Sequence, residues 1–132
     1  MPAAPRFVLL VLAVEDLPRA VAFYRTAFDL RPLVEAPSYV ELALGNGMRL
    51  GLYRRESFGI NTGQAPERIA SGAIAATEIY LYCDDLDAQI ERLAAAGARM
   101  LSPRAPREWG DEAAYFADGD GNVIVVARPL GA

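Results

Sequence analysis

The chain has 132 residues, of which 53% are hydrophobic and 23% charged, and a formal net charge of −4. That is the length of one ordinary domain with ample core material, so disorder is excluded, and the acidic balance argues against general nucleic-acid binding. Histidine is absent and all 13 basic residues are arginine, which removes imidazole triads, histidine bases, the common zinc and iron sites, lysine Schiff bases and P-loop lysines. The single cysteine, Cys83, has no intramolecular partner and reads as a buried core thiol in a reducing compartment. The longest apolar run, Phe7–Val14, is far short of the roughly 20 residues of a membrane span. Met1–Arg6 lacks the basic region and cleavage site of a signal peptide. A soluble, cytoplasmic protein with no membrane partner is expected.

In chain order, Phe7–Val14 predicts a strand buried on both faces. Glu15 and Asp16 supply acidic N-cap chemistry, Pro18 suits a first helical turn, and Leu17, Val21, Tyr24 and Phe28 recur at helical spacing. Ser38–Leu44 and Met48–Tyr53 read as strands joined by the Gly45-Asn46-Gly47 turn. Glu56–Ala76, rich in small and turn-forming residues, predicts a linker with a short helical turn, long enough to be a flap. Ile79–Cys83 then predicts a strand, Asp84 and Asp85 a cap, and Leu86, Ile90 and Leu93 a helix stripe that Gly97 ends. A last hairpin follows: Ala113–Ala117, the turn Asp118-Gly119-Asp120-Gly121-Asn122, and Val123–Arg128. The two aspartates read as turn formers, since the run is too short for a calcium loop.

Val14-Glu15-Asp16-Leu17 aligns without a gap on Cys83-Asp84-Asp85-Leu86, 69 residues on. This is an internal duplication of a strand–helix unit. The chain is therefore organised as residues 4–55 and 77–130 joined by 56–76, in one compact domain.

Over nearly its whole length this pattern resembles the vicinal oxygen chelate superfamily of glyoxalases, bleomycin-resistance proteins and dioxygenases. The resemblance is carried by the duplicated cap, by Ala22-Phe23-Tyr24, by Trp109-Gly110 before Tyr115-Phe116, and by the Asp118–Val125 hairpin, with Gly119 where the family has proline. It implies an α+β fold of two βαβββ units whose mixed sheets curve around a cavity. It also implies a two-fold homodimer with apolar contacts, paired simply or by domain exchange. A flexible linker of this length spans roughly 25 Å, enough for either.

Metal-using members of the resembled family take one ligand from the first and one from the last strand of each unit. Counting from the caps and turns, those positions are Leu9, Gly51, Glu78 and Val125. One carboxylate among four does not hold a catalytic ion, so no metal or other cofactor is expected. Strand alternation puts Tyr80 and Tyr82 beside Glu78, Arg49 and Tyr53 beside Gly51, and Val11, Ala13, Val123 and Ala127 on the same concave face. With Trp109 bordering it, such a surface suits a small-molecule pocket.

Three readings of Glu78 stay open: a wet or Arg49-paired strand residue, a carboxylate in a tyrosine-lined cavity, or a general base raised by burial. Glu41 reads as a solvated or paired carboxylate. Arg49 reads as an outward strand arginine or an anion clamp, and Trp109, Tyr80 and Tyr53 as ligand wall or ordinary packing aromatics. The expected function is sequestration of an aromatic or cationic compound such as an antibiotic, with Glu78, Tyr80, Trp109, Tyr53 and Arg49 as contacts. The alternative is a metal-independent isomerase or lyase with Glu78 as base. Fold alone decides neither.

Overall fold

A computed structural model describes residues 3–131. The first unit contains β1 (Leu9–Val14), α1 (Leu17–Phe28), β2 (Pro32–Glu35), β3 (Tyr39–Gly45), β4 (Met48–Arg54) and α2 (Arg55–Thr62). The second contains β5 (Glu78–Tyr82), α3 (Leu86–Ala95), β6 (Arg99–Pro106), β7 (Asp111–Ala117) and β8 (Val123–Pro129). Chain contacts group the residues up to Arg25 with Leu30–Pro66, and Thr26–Asp29 with Glu67 onward. Each unit builds a four-stranded mixed sheet, in order β1-β4-β3-β2 and β5-β8-β7-β6. In both, the first strand runs parallel to the last and the other pairs are antiparallel. The fold is the expected α+β arrangement of two βαβββ units.

The duplicated caps do the same local work. Asp16 Oδ1 accepts the Arg19 N–H at 3.1 Å, and Asp85 Oδ1 accepts the Ala88 N–H at 3.1 Å. Each satisfies a donor that the first helical turn leaves without an internal partner. Asn46 (φ 53°) sits in the β3–β4 turn between Gly45 and Gly47, all three with positive φ, as a tight hairpin requires. The β7–β8 turn is held by Asp118, whose Oδ1 accepts the Asp120 and Asn122 N–H groups, both at 2.9 Å.

Alternation gives each sheet two chemically different faces. In the first, the core face carries Leu12, Val14, Val40, Leu42, Leu50 and Leu52, all buried. In the second it carries Ile79, Ala114, Phe116, Ile124 and Val126, likewise buried, with α3 lying against β8. The opposite faces carry Tyr39 and Tyr53 in one sheet and Tyr80, Tyr82 and Tyr115 in the other; these are the tyrosine faces.

Four features depart from the sequence expectations. The first strand begins at Leu9, and Phe7 is exposed. The edge strands β2 and β6 carry Pro32, Pro103 and Pro106 and several register shifts, so their strand pattern is masked. The segment expected as a linker opens with a full helix, α2, which buries none of its side chains and ends at Gly63 (φ 87°). Weak helix formers such as Ser57, Gly59 and Thr62 hide it from propensity. Cys83 is half-buried rather than fully buried, and desolvation pushes its thiol pKa up. Among the described residues, no helix is long and apolar enough to cross a membrane.

Candidate functional site

On the tyrosine face of the second sheet, a turn brings Trp109 back over β5. The Gly110 N–H donates to Arg107 O at 3.1 Å, with Gly110 at φ 95°, and the Leu130 N–H ties the turn to the end of β8 at 2.8 Å. From there the Trp109 indole N–H donates to Tyr80 Oη at 2.8 Å. Tyr80 in turn donates to Asp111 Oδ2 at 2.6 Å, and Tyr82 donates to Asp111 Oδ1 at 3.1 Å. Asp111 is buried while Tyr80, Tyr82 and Trp109 are 37%, 65% and 55% exposed, so a hidden carboxylate orients three accessible rings. Burial, then the hydrogen bond to Asp111, raises Tyr80 to about 12. The same hydrogen bond comes first in raising Tyr82. Both phenols keep their protons at neutral pH and remain donors to Asp111.

Beneath them, Ala113, Val123, Val125 and Ala127 form a small apolar floor with Leu101 and Tyr115 packed against it. The Arg107 guanidinium lies over the Tyr115 ring, 4.8 Å from its centroid. It is held by Ser102 Oγ, Pro103 O and Ala113 O, each at 3.0 Å. Desolvation, then the charge of Glu78, raises Tyr115. Glu78 itself is exposed at the start of β5, opposite Val123.

The first sheet holds a separate cluster. Glu41 is buried, accepting Tyr39 Oη at 2.6 Å and Arg49 Nη1 at 2.8 Å. Burial, then that hydrogen bond, pushes the Tyr39 phenol far above its ordinary range. Tyr53 packs edge-on against Tyr39 at 5.2 Å and accepts Asn61 Nδ2 at 3.0 Å. Arg49 is thus paired with Glu41 inside its own sheet, and Glu41 is a buried, paired carboxylate. A polar cavity of about 240 Å³, formed by Ile69–Ala73 against the Asp118–Gly121 turn, is lined by none of these aromatic residues.

Of the five expected contact residues, Tyr80 and Trp109 are joined directly, with Glu78 on the strand of Tyr80. Tyr53 and Arg49 share β4 in the other unit. Asp111, Glu41 and Tyr39 were not among them. They lie on β3 and β7, the third strand of each unit, where the same alternation marks Tyr39 and Glu41, and Asp111 and Tyr115, as facing the tyrosine side.

Residues 6–126 match the family model of the Glyoxalase/Bleomycin resistance protein/Dioxygenase superfamily. The chain belongs to that superfamily. A glyoxalase-related enzyme from Fulvimarina pelagi is similar in structure, with TM-score 0.82 and 23% identity, covering 98% of this chain and 94% of that one. A glyoxalase/bleomycin resistance protein/dioxygenase family enzyme from Burkholderia phytofirmans PsJN has TM-score 0.81 and 19% identity, covering 93% and 98%. TioX from Micromonospora sp. ML1 has TM-score 0.70 and 24% identity, covering 96% and 100%. At these identities the likeness is one of fold. No curated protein sequence matches the chain significantly.

The residues at the superfamily's metal positions do not fit a resident ion. Leu9 and Val125 are hydrocarbon, and Val125 is fully buried in the apolar floor. At Gly51 the room for any side chain is already taken: a Cβ there would lie 2.6 Å from Tyr39 Oη and 2.8 Å from its Cε1. Only Glu78 offers oxygen, and hard divalent ions need several such donors. Among the described residues, no group of three or more Asp, Glu, Cys or His is placed to hold a metal.

Proposed function

We propose that this superfamily member is a small-molecule binding module. It sequesters an aromatic or cationic compound, such as an antibiotic, as a two-fold homodimer and without a catalytic metal. The observation that carries the reading is the Trp109–Tyr80–Asp111–Tyr82 arrangement: exposed rings, fixed in orientation by a buried carboxylate, over an apolar floor. Pre-oriented rings lose little entropy on binding a flat or charged ligand, and stacking and cation–π contacts supply affinity. The membership of bleomycin-resistance proteins in the superfamily supports this chemistry. The isomerase or lyase reading needs Glu78 inside a closed cavity, and Glu78 is exposed.

Trp109 is the only tryptophan, so its fluorescence reports the site. Titration with bleomycin and with 9-aminoacridine is expected to quench it saturably for at least one of them. Trp109→Ala, followed by calorimetry, is expected to weaken that binding about two- to thirteenfold, the range for loss of one stacking contact worth roughly 0.5–1.5 kcal/mol. Affinity for both compounds that is unchanged by the substitution would contradict the site.

A further inference from the structure

The charge balance around Asp111 specifies the ligand more narrowly than the rings do, granted the binding reading above. Among the described residues, no arginine forms an ion pair with Asp111. Its side-chain hydrogen bonds come from the neutral phenols of Tyr80 and Tyr82, and the nearby arginine side chains are engaged elsewhere. Arg104 and Arg128 bind Glu112, at 3.2 and 2.9 Å. Arg107 is pinned over Tyr115 by three acceptors. Glu78, on the same face of β5 as Tyr80 and Tyr82, adds a second negative charge that reaches Tyr115. Among the described residues the Asp111 carboxylate is met by neutral phenol donors, so a cation lying on the rings above it would be the counter-charge that the chain itself does not place there.

The hydrogen-bond directions show where that field can be met. Tyr80 Oη accepts from Trp109 and donates to Asp111, so it is engaged on both sides. Tyr82 Oη donates to Asp111 and, with Tyr82 65% exposed, its remaining lone pairs face solvent. A phenol that gives its proton to a carboxylate is a stronger acceptor, because hydrogen bonds in a chain polarise one another. The rings of Tyr80 and Tyr82, 6.1 Å apart and inclined at 71°, and the exposed Trp109 offer π faces beside that acceptor. Aromatic faces backed by negative charge recognise ammonium groups.

We propose that this face is a receptor for an organic ammonium. The N–H⁺ donates to Tyr82 Oη, the N-alkyl groups lie on the rings of Tyr82 and Trp109, and Asp111 supplies the balancing charge from behind. Three probes that share a benzyl group test it by calorimetry: N,N-dimethylbenzylammonium, benzyltrimethylammonium and benzyl alcohol. The dimethyl cation is expected to bind at least tenfold tighter than the alcohol. Tyr82→Phe should bring its affinity down to that of the quaternary cation, which has no N–H. Asp111→Asn should erase the preference of the site for either cation over the alcohol. Should Asp111→Asn fail to fold, the exposed Tyr82→Phe decides by itself. Benzyl alcohol binding as tightly as the cations, or an unchanged preference in Tyr82→Phe and Asp111→Asn, overturns the ammonium assignment and leaves the binding reading standing. No binding by these three probes, by bleomycin or by 9-aminoacridine overturns both.

Discussion

Phe116→Ala is expected to lower the unfolding free energy by about 3–5 kcal/mol, the largest loss among the single changes considered. Phe116 is 1% exposed on the core face of β7, paired with Ile124 of β8 and Met100 of β6. Its removal takes apolar area out of the second unit and leaves a cavity that the flanking strands cannot close without breaking their ladders. Trp109→Ala, at a side chain 55% exposed on the other face, is expected to cost no more than about 1 kcal/mol, near the range of surface substitutions. Urea denaturation of the two variants checks the pair. Losses of similar size would mean that the tyrosine face carries stability and not recognition.

Gly51→Ala is expected to destabilise by about 1–3 kcal/mol, although it adds a single carbon. That carbon would lie 2.6 Å from Tyr39 Oη, 2.8 Å from Cε1 and 3.1 Å from Cζ. The ring cannot swing clear cheaply. Its hydroxyl is bonded to buried Glu41 at 2.6 Å and its edge packs on Tyr53 at 5.2 Å. Relief therefore leaves a buried carboxylate short of a donor, which is costly. Tyr39→Ala combined with Gly51→Ala should then be less destabilised than the two single changes added, by roughly 0.5–3 kcal/mol of coupling. Thermal denaturation of the three variants measures this cycle. A neutral Gly51→Ala would show that the position is open and has room for a ligating side chain.

The elements that the sequence discloses are those whose signals are local. The two aspartate caps, the Asn46 and Asp118 turns and the apolar β1 and β8 are legible because each needs only its neighbours. Edge strands β2 and β6 are hidden by prolines that only an edge tolerates, and α2 by a glycine and β-branched residues inside an exposed helix. At the site, Tyr80 and Trp109 are legible as aromatic residues on an alternating strand and beside a turn. The hydrogen bonds that make them a unit are not, because Asp111 lies 31 residues from Tyr80. Alternation along β7 marks its face; its burial depends on the β5 tyrosines that reach it across β8. Likewise, the opposition of Gly51 and Tyr39 arises from register across β3 and β4.

We propose that this superfamily member binds its ligand on the Tyr80–Trp109 face without a metal. The most direct measurement is a calorimetric titration of chelator-dialysed protein with bleomycin and 9-aminoacridine, in the absence and presence of added Mg²⁺, Mn²⁺ or Zn²⁺, with the recovered compound analysed by mass spectrometry. Saturable binding of at least one compound at the same affinity under both conditions, with its mass unchanged, is expected. Binding that appears only on adding the ion, or a compound returned chemically altered, would contradict it.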